Sequence, residues 1–134
     1  MEITISQSTM KVPVTIVRVE GVFDANSVEQ FMEPTKDAID GGAYNILIDL
    51  SNVSFMSSIG IRIINVLYFQ LHPKGTDEQE KAVAESIKAG TYQAQHLKIL
   101  SPSENVCKVL IMAGIDRYIG IFEQEEGALL AFAN

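Results

Sequence analysis

A short apolar run followed closely by an apolar helical stretch, both within Ile46 to Leu67, leaves few architectures open to this chain. Asn45 to Leu50 is an apolar run with a single carboxylate, Asp49, and reads as a strand buried on both faces. From Ser58 onward, Ile59, Ile61, Ile63, Ile64, Val66, Leu67 and Tyr68 fill a helical segment too apolar for a surface helix. Phe55-Met56-Ser57-Ser58 joins the two, and a serine immediately before such a run is a favourable N-cap, a role that falls here to Ser58. A hydroxyl is thereby placed at the positive end of a core helix, a position that suits a group carrying or touching phosphate.

The flanking segments extend this pattern. Met1 to Gln7 alternates apolar and polar residues and reads as an edge strand, and Val12 to Val19 is a β-branched strand that would form a hairpin with it. Gly21 permits a bend, and Asp24 or Asn26 can cap a helix starting near Ser27, with Val28, Phe31, Met32, Thr35 and Ile39 at core spacing and Gly41-Gly42 at its end. Pro34 falls inside that helix, where it predicts a kink or a displaced first turn. Leu71 to Gly75 ends the apolar helix. Residues 76–96 then start with a capping-box pattern, Thr76-Asp77-Glu78-Gln79, and read as an extra surface helix or a partly ordered excursion to Gly90. Leu97 to Leu100 is a short strand. Next comes a helix opened by Ser101-Pro102-Ser103-Glu104, with Val106, Val109, Leu110, Met112 and Ala113 as its core stripe and Gly114 past its end. Tyr118 to Phe122 is a final strand, and Glu125 to Ala133 a last helix. Strands separated by helices in this order imply helices layered on a sheet.

At 134 residues the chain fits a single domain, 1–134, and its net charge of −7 leaves no basic stripe for nucleic acid. The one cysteine, Cys107, excludes an internal disulfide, and with no signal peptide the expected compartment is a reducing cytoplasm. No apolar run is long enough for a membrane span. His72 and His96 lie far apart without cysteines nearby, so no metal is expected. No Gly-rich phosphate loop of either common pattern occurs, so no nucleotide cofactor is expected either.

Asp49-Leu50-Ser51-Asn52-Val53-Ser54-Phe55-Met56-Ser57-Ser58-Ile59-Gly60-Ile61-Arg62 resembles the signature of the STAS domain, the fold of bacterial anti-sigma-factor antagonists. The segment Gly21-Val22-Phe23-Asp24, the helix opened by Ser101-Pro102 and the final Glu125–Leu130 stretch resemble the same family. The resemblance covers nearly the whole chain except residues 76–96, an insertion relative to the family. It implies an α/β, STAS-like single domain: a central, mostly parallel, mixed sheet with four helices, plus an inserted helix before the fourth strand.

By the same resemblance, Ser58 matches the serine phosphorylated by a partner anti-sigma kinase, with Ser57 the alternative, and Gly60 matches the motif glycine. Ser57 stands where the family has aspartate, and Ile59 replaces a second hydroxyl residue. Asp24 matches an aspartate close to the phosphoacceptor. Arg62 shares a helix face with Ser58, with a surface salt bridge as its expected role. Asp24, Ser57, Ser58, Ile59, Gly60 and Arg62 thus form the expected partner-binding site. The implied partner is an anti-sigma factor, typically a GHKL-type serine kinase, and the implied function is release of a sigma factor under control of serine phosphorylation. The alternative is a STAS scaffold in a larger signalling complex, or a transporter-associated module, without a phospho-switch.

An enzyme is not expected. A hydrolase using Ser58 lacks a histidine placed as base, and Asp24 with Asp49 as an acid/base pair lacks a nucleophile or metal. Val83, Ile87 and Tyr92 supply few apolar contacts to the insertion, whose alternative role is pairing with a second copy in a homodimer.

Overall fold

The apolar runs at Val14–Val19 and Ile46–Leu50 fold as adjacent parallel strands, and the rest of the sheet grows outward from them. The structure is a computed structural model that describes residues 1–73, 75–90 and 92–133. Its elements, in order, are β1 (Glu2–Ser8), β2 (Val14–Phe23), α1 (Val28–Asp40), β3 (Ile46–Met56), α2 (Ser58–Leu71), α3 (Asp77–Ala89), β4 (Leu97–Leu100), α4 (Glu104–Met112), β5 (Gly120–Phe122) and α5 (Glu125–Ala131). A single 3₁₀ turn, Ile115–Arg117, links α4 to β5. The five strands lie in the order β1-β2-β3-β4-β5, with β1 antiparallel to β2 and every other pair parallel. This is the mixed α/β sheet expected from the sequence, including the extra helix before the fourth strand.

Alternation along the strands sorts their side chains onto two faces. Val17, Val19, Ile46, Ile48, Leu50, Leu97 and Ile99 point to one face, where Phe31 of α1, Ile64 and Leu67 of α2, and Val106 and Leu110 of α4 complete the main core. Each fully buried side chain of this kind contributes about 1.5–3 kcal/mol relative to exposure. Ile16, Leu47 and Leu100 point to the other face, covered only near the C-terminus by Ala128, Leu129 and Phe132. On that second face Arg18 bridges β2, β3 and α5: its guanidinium donates to Asp49 at 2.7 Å and to Glu125 at 2.6 Å. Asp49 is therefore an ion-pair partner in the middle of β3, which runs on to Met56.

Several expected boundaries move, each for a local reason. The central strand runs on past Leu50 to Met56, because Val53 and Met56 still reach the core after strict alternation breaks down. β2 likewise continues through Gly21 to Phe23; Gly21, at φ +116, absorbs one of two register shifts that bend this end of the β2–β3 ladder. The last strand begins at Gly120, since the 3₁₀ turn takes up the residues before it, and the last helix ends at Ala131. Pro34 sits within α1, which continues through it to Asp40, and Phe31 and Thr35 are the helix's buried residues. The core stripe expected for α4 narrows to Val106 and Leu110, while Met112 is 87% exposed and Ala113 is exposed as well.

α3 carries a complete capping box between Thr76 and Gln79 and ends on Gly90 in the left-handed conformation, yet none of its residues is buried. The segment between α3 and β4 behaves differently. Ala94 is buried, its amide donates to the Tyr118 carbonyl at 2.7 Å, and its carbonyl accepts from Lys98 Nζ at 3.0 Å.

Candidate functional site

The carboxyl ends of β2 and β3 and the N-terminus of α2 meet at one edge of the molecule. Their junction is fixed by the Ser57 amide, which donates to the Phe23 carbonyl at 2.9 Å. The helix begins one residue earlier than a cap at Ser58 requires: Ser57 is the N-cap, with extended backbone, and its hydroxyl accepts from the Ile59 amide at 3.3 Å. Ser58 is the first helical residue. It is exposed, and among the described residues nothing hydrogen-bonds its hydroxyl. The capping at Ser57 leaves Ser58 free, so the two adjacent serines have separate tasks. An aspartate in place of Ser57 would cap equally well, so this departure from the family pattern preserves the helix start while removing one negative charge.

Gly60 lies on the buried side of the same turn. A methyl group there would sit 2.6 Å from Met56 Cγ and 3.2 Å from Phe23 Cδ1. The glycine therefore lets α2 approach the strand ends closely. Ile59 is half-buried beside it. Arg62 is exposed one turn from Ser58, but the surface salt bridge expected for it is not formed with any described carboxylate. α2 also has no acidic side chain in its first turn. The mouth of the helix thus holds a cation and free amides without a bound counter-charge.

Asp24 does not cap α1 as expected. Its carboxylate accepts from the Asn26 amide at 3.0 Å, shaping the turn that leads into the helix, while the N-cap residue Ser27 turns its hydroxyl back onto the Val22 carbonyl at 2.7 Å. Asp24 is half-buried and comes directly after Phe23, whose carbonyl holds Ser57, so the strand end brings it to the same edge as Ser58. Asp49 is not brought there. Arg18 and Asp49 pair in register five residues back along β2 from Phe23, which puts Asp49 about 15 Å from this edge. The two carboxylates cannot form an acid/base pair.

The sequence did not single out two apolar side chains at this edge. Val22 and Phe55 are paired in register across β2 and β3 and are 39% and 53% exposed. The bulged register turns them out of the core. The available signal was the spacing of Val53 and Met56, which leaves Phe55 out of phase with the buried residues. Ser58, Arg62, Asp24 and this apolar pair make a patch of mixed chemistry on a rigid frame, suited to contact with another macromolecule.

Neither histidine serves this edge. His96 Nδ1 lies 2.9 Å from Asn45 Oδ1, and burial pushes its pKa down; His72 lies at the far end of α2, 3.3 Å from Glu80. Among the described residues there is no group of three or more potential metal ligands, and no helix is long and apolar enough to cross a membrane.

Comparisons with known proteins point one way. The sequence matches the family model described as STAS domain over residues 5–77, just over half of the chain. A comparison with curated proteins gives no match. The fold is similar to an anti-sigma factor antagonist from Mycobacterium paratuberculosis, at 18% identity and TM-score 0.72, covering 99% of this chain and 96% of that one. It is also similar to an anti-sigma-factor antagonist (STAS) domain protein from Planctomyces limnophilus, at 20% identity and TM-score 0.68, covering 98% of each chain. A third similar structure is the Bacillus cell fate determinant SpoIIAA in its phosphorylated form, at 21% identity and TM-score 0.58, covering 94% of this chain and 96% of that one.

Proposed function

The chain belongs to the STAS domain family, and from that premise we propose that it is an anti-sigma factor antagonist whose hold on its partner is set by phosphorylation of Ser58. The observation that carries this reading is the exposed, unengaged Ser58 hydroxyl at the first position of α2, beside the exposed Val22–Phe55 pair. A similar fold is known in both a phosphorylated and an unphosphorylated form, that of SpoIIAA. The partner is an anti-sigma factor with serine kinase activity of the GHKL type, and binding it releases a sigma factor. The chain itself works as a binding module in the cytoplasm and not as an enzyme.

The physics of the switch is local. Unmodified, the patch offers a neutral hydroxyl between apolar side chains and Arg62. A phosphate adds close to two negative charges. The helix tolerates them, because the free amides of its first turn and the macrodipole favour an anion there. The cost therefore falls on the interface, where the phosphate must be desolvated against a partner shaped for a hydroxyl.

The test pairs a modification map with two variants. Incubation with the cognate kinase and ATP should place phosphate on Ser58, read by mass spectrometry, and Ser58→Ala should abolish it. Ser58→Asp should weaken partner binding by about tenfold or more while the melting transition changes by less than about 1 kcal/mol in stability. Phosphate on Ser57 alone would sink the assignment. A large assembly without a kinase, captured from the cell's own extract, would favour the scaffold reading, which the serine in place of the motif aspartate leaves open.

A further inference from the structure

At the opposite end of α2 the chain holds a second concave feature with a different chemistry. The apolar stripe of α3, Val83 and Ile87, faces α2 without closing onto it, and a crevice of about 360 Å³ remains between the helices. That volume falls in the range of small-molecule sites. Its floor is aromatic: Tyr68 meets Phe69 at 5.3 Å between centroids and 69° between planes, and Tyr118 at 5.1 Å and 65°. Tyr68 is buried at the base of the crevice, and Phe69, 71% exposed, stands at its rim. Glu80 lines the same crevice, and no described lysine or arginine does.

We propose that this crevice is a binding site for a small organic cation with an apolar body, such as an aryl or alkyl ammonium. The electronegative faces of Tyr68, Phe69 and Tyr118 would receive the cationic head, with the Glu80 carboxylate as its counter-charge. Val83 and Ile87 would cover the apolar body. The charge of the whole chain, −7, favours the same sign of ligand. The crevice also accounts for an oddity of α3: a well-capped helix with an apolar stripe and no buried residue. An occupant would complete the burial that the helix lacks. Glu80 is held ready by the Gly75 amide at 3.2 Å and by His72 Nε2 at 3.3 Å, and Tyr92 backs the other nitrogen of that ring at 3.3 Å. This site is independent of the switch at Ser58, about 16 Å away along the helix.

Three probes of similar size test it on the full chain by amide chemical-shift titration: benzyltrimethylammonium, neutral 2-phenylethanol and anionic phenylacetate. The cation should shift the amides of Phe69, Val83, Ile87 and Tyr118 and bind about tenfold more tightly than the neutral probe, with the anion weakest. Glu80→Gln should reduce the cation to the affinity of the neutral probe. Because that variant also touches the tether of α3, Phe69→Ala, at a 71% exposed position, supplies a second reading and should weaken the cation several-fold without loss of fold. Ala84→Phe, at an exposed position on the crevice wall, should block all three probes. Equal affinity for the three probes, shifts mapping elsewhere, or no saturation at millimolar cation would each overturn the proposal.

Discussion

Two buried residues show how much a single side chain can decide here. Gly60 has no room for a methyl group against Met56 and Phe23. Gly60→Ala should therefore cost about 1–3 kcal/mol, as overpacking does, measured by denaturant unfolding; a loss under about 0.5 kcal/mol would mean that Met56 simply swings aside. Lys98 is a different case. It is 4% exposed, its ammonium donates to the Ala94 carbonyl and lies 5.1 Å from the Phe132 ring, and burial pushes its pKa below the usual 10.5. Between the lowered folded value and 10.5 the unfolded chain binds the extra proton, so this residue's contribution to stability rises with pH across that window. The cost of burying the ammonium is present in full below the window and gone above it. The stability of the wild type relative to Lys98→Met should accordingly increase from pH 7 to pH 10 in paired denaturation curves, and a flat or falling difference would refute the account. Lys98 was not legible as buried, because a strand of four residues gives too few positions to assign a face. The two serines were legible as a capping site, but the sequence reading gave the cap to Ser58, whereas the Ile59 amide donates to Ser57 and the Ser57 amide to the Phe23 carbonyl, which starts the helix one residue earlier.

At the scale of elements, segments with one clear periodicity were readable and segments where the period changes were not. The β1–β2 hairpin, β4, the capped α3 and the cap of α4 at Ser103 are set by their own residues. β3 was read short because its second half breaks alternation at the bulged register, and that half carries Phe55 to the candidate site. The stretch 76–96 was read as one excursion but holds two parts. Its helix buries nothing, whereas Ala94 is buried between the Tyr118 carbonyl and Lys98. Replacing residues 77–89 by a short Gly/Ser linker should cost less than about 2 kcal/mol, since shortening a surface loop is mild and no buried side chain is lost. Ala94→Phe should cost more than that, as it overpacks a buried position. Melting of both variants checks the order, and size-exclusion with light scattering shows whether the helix was pairing two copies. A reversed order would return the whole stretch to a single role.

On the scale of the whole molecule, the sheet is covered unequally. One face carries α1, α2 and α4, and among the described residues the other carries α5 alone of the helices, seven residues long, fastened by Ala128, Leu129, Phe132 and the Glu125–Arg18 contact. An element with so few buried contacts opens at low free energy. Native-state hydrogen exchange should show α5 amides opening well before those of β2 and β3, and equal protection would contradict this. The layer architecture was legible because alternating strands and helices permit little else, but the sidedness was not, since nothing in a buried strand states which helix will cover which face. The strand order has a consequence in time. Neighbours in the sheet are neighbours in the sequence, from β1 to β5. A ribosome emitting this chain delivers each strand beside an edge already laid down, and no strand waits for a later one to separate it from its partner. The candidate edge, built from the ends of β2 and β3 and the start of α2, is thus complete before β4 emerges. The α5 face, closed across 107 residues by Glu125 and Arg18, forms after all five strands have emerged.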